Sequence, residues 1–335
     1  SPGMIEMHAD STTLSTTDLM LAPVREQLTV MEGRLRESLS GQHGALTAAI
    51  EHLLDSGGKR VRPAVALITA GLFAADDDHA VSLAAAVEML HTATLVHDDL
   101  IDGALLRRGI PTLNSKWSPD ATVLTGDYLF ARAASFAAQT ESVRVMNLFA
   151  ETLMVIVNGE IRQQFADEAI LSREAYFQRI HAKTASMFAL AAEAGAVLGT
   201  ASESAITGMR HYGCETGMAF QIVDDVLDFI GSVDRIGKPV GSDLQQGLLT
   251  LPALHYVEAN PDDPDVVELL NGHQSKRKVR ERLLQSIRSS DAIDASLATA
   301  RNYAESAKSA LVPAAANDHL QTLHAIADYV VEREL

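Results

Sequence analysis

The chain has 335 residues and a net charge of −17, which argues against nucleic acid or an anionic membrane as its main partner, since clustered cations grip both. With 47% hydrophobic and 5% aromatic residues it can bury a sizeable core, and its alanine-rich composition favours packed helices over sheets. Cys214 is the single cysteine, so a disulfide framework is excluded and a reducing, cytoplasmic setting is expected. No apolar stretch reaches the roughly 18 residues of a membrane span, and "SPGMIEMHAD" lacks signal-peptide character.

In chain order, residues 1–16 are polar and Ser/Thr-rich and read as disordered, with Ser-Pro-Gly ahead of Met4 read as a cloning remnant. Helical periodicity then dominates, at about 18–39, 44–55, 63–75, 80–101, 121–139, 141–166, 173–198, 203–230, 247–258, 276–289, 292–310 and 315–334. The breaks are "DSGGKRVRP" at 55–63, "RRGIPTLNSKWSPD" at 107–120 and "GSVDRIGKPVGSDLQQG" at 231–247, while "NPDDPD" at 260–265 reads as a polar turn. No alternating strand, solenoid repeat or linker is visible. Residues 17–335 are expected to form a single all-α domain, one large helical bundle.

"LVHDDLIDG", from 95 to 103, crowds Asp98, Asp99 and Asp102 behind the apolar run "AVEMLHTATLV". At about 100° per residue, His91, Asp98 and Asp102 fall within about 40° of one line along the helix. Carboxylates four residues apart project together and offer the hard oxygen ligands that Mg²⁺ prefers. Alone, such a cluster is more often a solvated helix end. A second cluster in "FQIVDDVLDF" repeats the spacing with Asp224, Asp225 and Asp228, and Gln221 shares their face. Facing one another, six carboxylates require cations between them, and with several Mg²⁺ they become a cage for a polyanion.

The basic residues complement this. "SGGKRVRP" sets Lys59, Arg60 and Arg62 ahead of Pro63, which reads as a first helical position, where free N–H groups favour anions. The spacing is not that of a P-loop. Arg107, Arg108, Lys183 and Lys238 are further cations, each of which alone reads equally as a surface residue. Glu88 and His91 have the Glu-x-x-His spacing of di-iron bundles, but such sites need two copies of it, and a core histidine fits as well.

The ordered set GGKRxRP, HDDxxD…RRG, GDYLFARA, KTA, FQxxDDxLD and GKPxGxDL…TLP, spanning about residues 50–258, closely resembles the trans-isoprenyl diphosphate synthases, or polyprenyl synthetases. The resemblance implies an all-α bundle of the isoprenoid synthase type around a central cavity. It implies a transferase that condenses isopentenyl diphosphate with an allylic diphosphate, farnesyl or geranylgeranyl, using about three Mg²⁺ ions and releasing pyrophosphate. Asp98, Asp102 and Asp224 are carried over as metal ligands, with Asp99, Asp225 and Asp228 in support. Lys59, Arg62, His91 and Arg108 match the isopentenyl diphosphate site; Arg107, Lys183 and Lys238 match contacts to the allylic diphosphate; Thr184 and Gln221 match the reaction centre. The family also implies a homodimer, expected here through "GDYLFARAASFAA" at 126–138. Peripheral membrane contact is compatible with the hydrophobic product, although no basic amphipathic anchor is evident.

Two departures stand out: Leu248 replaces a lysine frequent in relatives near TLP, and Gly103 follows the first motif. Leu90, Ala93 and Thr94 match the floor of the elongation tunnel, and small residues at 93 and 94 imply a product of C30 or longer. The alternatives are a short-chain farnesyl or geranylgeranyl diphosphate synthase, a class I terpene cyclase, which normally lacks the second motif, and a noncatalytic synthase subunit.

Overall fold

Helix starts in this chain are written locally. Asp76, Ser118, Ser142, Ser172, Ser202 and Asn317 each accept, through the side chain, the backbone N–H three residues ahead. Such a cap is worth about 1 kcal/mol. The computed structural model describes residues 15–104, 106–107, 110–165, 172–231, 240–272, 276–311 and 317–333. Its longer helices, in chain order, are α1 (Arg25–Glu37), α2 (Gly44–Asp55), α3 (Val61–Leu72), α4 (Asp77–Ile101), α5 (Pro119–Ala138), α6 (Val143–Gln164) and α7 (Arg173–Ile180). After them come α8 (Ser186–Leu198), α9 (Glu203–Ile230), α10 (Leu251–Ala259), α11 (Pro264–Asn271), α12 (Arg277–Arg288), α13 (Ala292–Ala310) and α14 (Asp318–Glu332).

The all-α expectation holds. Among the described residues the only extended pairing joins Leu106–Arg107 to Ile110–Pro111, antiparallel, inside the expected break after the first acidic motif. Four boundaries differ. The first helix, Thr16–Met20, starts one residue inside the stretch read as disordered, because Ser15 and Asp18 form a reciprocal capping box. The segment expected at 247–258 begins only at Leu251, with a short helix at Ser242–Gln245 ahead of it. "NPDDPD" is half turn and half helix start: Asp263 accepts the Asp265 N–H at 2.8 Å and Pro264 opens α11. The expected 173–198 helix is interrupted by a π-helical turn, His181–Ala185. Such turns recur at functional sites.

The buried side chains form one continuous core. α4 packs most extensively on α5, α9 on α13 and α8, and α8 on α3. By length and mean hydropathy α4 is apolar enough to cross a bilayer, which the sequence reading did not find, but 83% of its apolar window is buried by protein. A helix apolar all round is a core helix when other helices surround it. Gly213 and Gly217 bring α9 close to its neighbours. A Cβ at Gly213 would lie 2.3 Å from the Phe188 carbonyl oxygen, and one at Gly217 would lie 2.6 Å from Ala185 Cα. α9 is thereby pressed against the end of the π-helical turn.

Candidate active site

The first acidic motif rides on the last turn of α4, which ends at Ile101 with Asp102 as its C-cap. This turn is seated on α5 by His97. The ring lies over Gly126, where a Cβ would fall 2.2 Å from Nε2, and Nε2 is 3.1 Å from the Val123 carbonyl oxygen. A carbonyl accepts only, so Nε2 carries the proton. Asp99 is buried and held by Arg107, which donates Nε at 3.0 Å and Nη2 at 2.6 Å to its Oδ1. Asp98 faces Lys183, whose Nζ lies 3.4 Å from Asp98 Oδ2 and 3.5 Å from Glu160 Oε1 on α6. Burial, reinforced by Glu160 and Asp102 and opposed by Lys183, pushes the Asp98 carboxyl up to about 6. Burial works against the charge on Lys183, yet Asp98 and Glu160 outweigh it and its pKa stands above the usual lysine value.

The second motif is distributed differently. Asp225 is buried, accepting from Tyr176 at 2.5 Å and from Gln221 Nε2 at 3.0 Å. Burial, with Asp243 adding to it against those hydrogen bonds, pushes Asp225 up to about 7. Asp228 is 1% exposed and caps the short Ser242–Gln245 helix, accepting from Ser242 Oγ at 3.1 Å and from the Asp243 N–H at 3.2 Å. Asp224 alone reaches the surface, its side chain 41% exposed. The six carboxylates therefore differ in their surroundings. Asp99, Asp225 and Asp228 are buried and hydrogen-bonded within the protein, Asp98 is largely buried beside Lys183, Asp224 is half-exposed beside Arg333, and Asp102 is exposed.

The π-helical turn joins the two motifs. Lys183 pairs with Asp98, the adjacent Thr184 donates to Gln221 Oε1 at 2.8 Å, and Gln221 donates to Asp225. Two acidic helix ends, 122 positions apart, thus converge on five residues of α7–α8 backbone.

The basic loop has a structural member, Arg60, an inward-packed one, Arg62, and an exposed one, Lys59. Arg60, at φ 58°, folds back so that Gly57 must lack a side chain, since a Cβ there would lie 2.1 Å from Arg60 Nη1. Its guanidinium binds Glu32 at 2.7 Å, Glu88 at 2.5 Å and the Leu54 carbonyl at 2.8 Å. Glu88 is therefore a salt-bridge partner, which removes the di-iron alternative. Arg62 lies 4.9 Å from the Phe188 ring and 5.1 Å from the Phe220 ring, with Nη1 3.5 Å from His91 Nε2. Lys59 sits 5.4 Å over the Tyr329 ring, beside a cavity of about 1200 Å³ that Arg60 and Arg333 also border. Leu90 and Ala93 have no accessible surface and Thr94 has 8%, its hydroxyl donating to the His91 carbonyl at 2.7 Å. Arg108 and Lys238 lie outside the described residues.

Among the described residues no three Asp, Glu, His or Cys side chains converge closely enough to hold a cation alone. An all-oxygen donor set of one or two carboxylates suits a hard cation that keeps its waters and completes its shell on phosphate. The cations Lys183 and Arg333 already stand at Asp98 and Asp224, so both carboxylates lie where positive charge is favoured. Tyr176, Glu160, His97, Asp243 and Arg333 were not singled out from sequence, since their contacts form only in the fold.

The polyprenyl synthetase family model matches residues 43–287. The chain belongs to the polyprenyl synthetase family. A prenyl transferase of Synechocystis is 36% identical over 326 residues, covering 96% of this chain and 99% of its own. Heptaprenyl diphosphate synthase component 2 of Bacillus subtilis is 34% identical, covering 93% of this chain and 89% of its own. A polyprenyl synthase from Caulobacter crescentus, solved with calcium and isoprenyl diphosphate, superposes with a TM-score of 0.89 at 35% identity, covering 96% of this chain and 99% of that one. This polyprenyl synthetase is accordingly an enzyme, a transferase of the prenyl-transferring kind.

Proposed function

We propose that this polyprenyl synthetase adds isopentenyl diphosphate to an allylic diphosphate, farnesyl or geranylgeranyl, and releases pyrophosphate. The observation that carries the reading is the convergence of both acidic motifs on the turn bearing Lys183 and Thr184. Asp98 and Asp102 on one side and Asp224 on the other would hold Mg²⁺, about three ions by family resemblance. When bound, the cations supply charge neutralisation that lets the allylic diphosphate depart. Lys183 steadies the same diphosphate, with Lys238 assigned beside it and Arg107 reaching it from its seat on Asp99. Thr184 and Gln221 direct oxygen dipoles at the developing allylic cation. Lys59, Arg62, His91 and Arg108 orient isopentenyl diphosphate, whose double bond attacks. A proton then passes to the released pyrophosphate, and exclusion of water protects the cation from capture.

A product of C30 or longer follows from small residues at Ala93 and Thr94, and a heptaprenyl synthase component among the relatives supports it. Because Leu90 and Ala93 are packed without accessible surface, a growing chain passing this level must displace side chains. Incubating the purified chain with Mg²⁺, isopentenyl diphosphate and each primer, then sizing the products, tests the reading. Ala93→Tyr should shorten the main product, and an unchanged product removes the tunnel assignment.

A second copy of the chain is the partner the surface favours. The large exposed apolar side chains are not within 126–138, where the interface was expected. Eight of those among the described residues cluster nearby, Val123 and Leu124 on α5, and Val143, Met154, Val155, Val157 and Ile161 on α6, with Phe165 just beyond; the others, such as Leu19 and Leu270, are scattered. Light scattering should find a dimer that Ile161→Glu with Phe165→Glu weakens. A relative named as component 2 favours a second reading, a different partner subunit. Full activity of the pure chain alone would exclude that requirement.

A further inference from the structure

Asp224 has a partner from a distant element. Arg333, in the turn after α14, brings Nη1 to 2.8 Å from Asp224 Oδ1 and donates Nη2 to the Phe220 carbonyl at 2.7 Å. Its guanidinium lies 4.0 Å from the Phe220 ring centroid. The Arg333 side chain is 10% exposed although Asp224 is 41% exposed, so the arginine is packed down on the carboxylate rather than waving beside it. The base of this contact is fixed. The Arg333 N–H closes on the Tyr329 carbonyl at 2.9 Å, and α14 is tied to α9 by the Tyr212 hydroxyl, which donates to the Leu323 carbonyl at 2.6 Å. Arg333 lies outside residues 43–287, the extent of the family match.

The same side chain borders the cavity of about 1200 Å³ beside Lys59 and Tyr329. It therefore stands between a carboxylate suited to a divalent cation and a cavity of mixed charge, bordered by Arg25 and Lys59 as well as by Asp18, Asp328 and Glu332. A guanidinium and a divalent cation cannot share one carboxylate oxygen without strong repulsion in a partly buried site. A cation arriving on Asp224 therefore competes with the guanidinium for the carboxylate and loosens it. A displaced guanidinium would turn towards the cavity edge, where Asp328 and Glu332 stand and where an anion held by Lys59 could take it.

We propose that Arg333 is the exchangeable counter-ion of Asp224, holding that carboxylate until a divalent cation takes it and then turning to a diphosphate in the adjoining cavity. This rests on the reading that Asp224 is a metal ligand. Loading of the allylic, metal-bearing side then prepares the isopentenyl side, and by linkage the reverse holds. Arg333 is a positioning residue in the first state and a binding residue in the second.

The test uses Mn²⁺ binding to the full chain without diphosphates, followed by electron paramagnetic resonance. It compares wild type, Arg333→Gln, Arg333→Lys, Asp224→Asn and the Arg333→Gln/Asp224→Asn double variant, each checked by thermal melting. Arg333→Gln should bind Mn²⁺ about fivefold more tightly, the scale of a partly exposed ion pair, and Arg333→Lys should stay near wild type. In the Asp224→Asn background Arg333→Gln should change nothing. At saturating Mg²⁺, Arg333→Gln should raise KM for isopentenyl diphosphate several-fold while leaving KM for the allylic substrate in place. Equal Mn²⁺ affinity with and without Arg333, or a gain that persists without Asp224, overturns the exchange and leaves the proposed reaction standing. Wild-type Mn²⁺ binding that Asp224→Asn does not alter removes the metal reading itself, and the exchange with it.

Discussion

The two acidic motifs share a spacing and differ in what they offer. In the first, Asp102 is the C-cap of a helix that stops at Ile101, so the fifth position is exposed at the helix end while Asp98 sits in the last turn beside Lys183. In the second, α9 continues to Ile230, so Asp228 stays inside the helix and is covered by the loop it caps. The middle acid is structural in both, but by different means: Arg107 neutralises Asp99, whereas Asp225 relies on neutral donors, Tyr176 and Gln221. Where a helix ends relative to a motif thus decides which of its carboxylates reach a ligand.

The largest effects should come from the acids assigned as metal ligands. Asp98→Asn and Asp224→Asn should each lower kcat/KM by about 100-fold or more at fixed Mg²⁺, the scale of losing one electrostatic stabiliser. Asp228→Ala should act chiefly on stability. Removing a buried acceptor from Ser242 and Asp243 should cost about 2 kcal/mol in denaturant unfolding. If Asp228→Ala is neutral in stability, the distinction between the motifs fails. Arg107→Gln should destabilise by about 1–2 kcal/mol, less than a fully buried broken pair because Arg107 is 42% exposed. Tyr176→Phe should have the smallest effect, about 1 kcal/mol on unfolding with turnover retained, since Gln221 still donates to Asp225.

Much of this was legible in the chain because it is local. The i, i+4 acids, the Ser and Asp caps and the Gly-Gly ahead of Lys59 act within a few residues. What was not legible depends on contacts between distant segments. Nothing near Asp225 announces Tyr176, 49 positions away, and nothing near Asp224 announces Arg333. Arg60 reads as a ligand-binding cation in "GGKR", yet its fold-back onto Glu32 and Glu88 makes it structural. Large exposed apolar side chains are more numerous on α6 than on α5, because exposure depends on which neighbours cover a helix rather than on its composition. The helical start at Pro264 was legible and overlooked, since Asp-Pro reads equally as a turn or as a cap followed by a first helical residue.

The most direct test of the account is the position of Mn²⁺ in crystals of the protein grown with inorganic pyrophosphate, located by anomalous scattering. The account predicts peaks at Asp98 and Asp102 and at Asp224, all bridged by one pyrophosphate lying beside Lys183. Peaks confined to one motif, or shared by separate anions on different faces of the molecule, would contradict it.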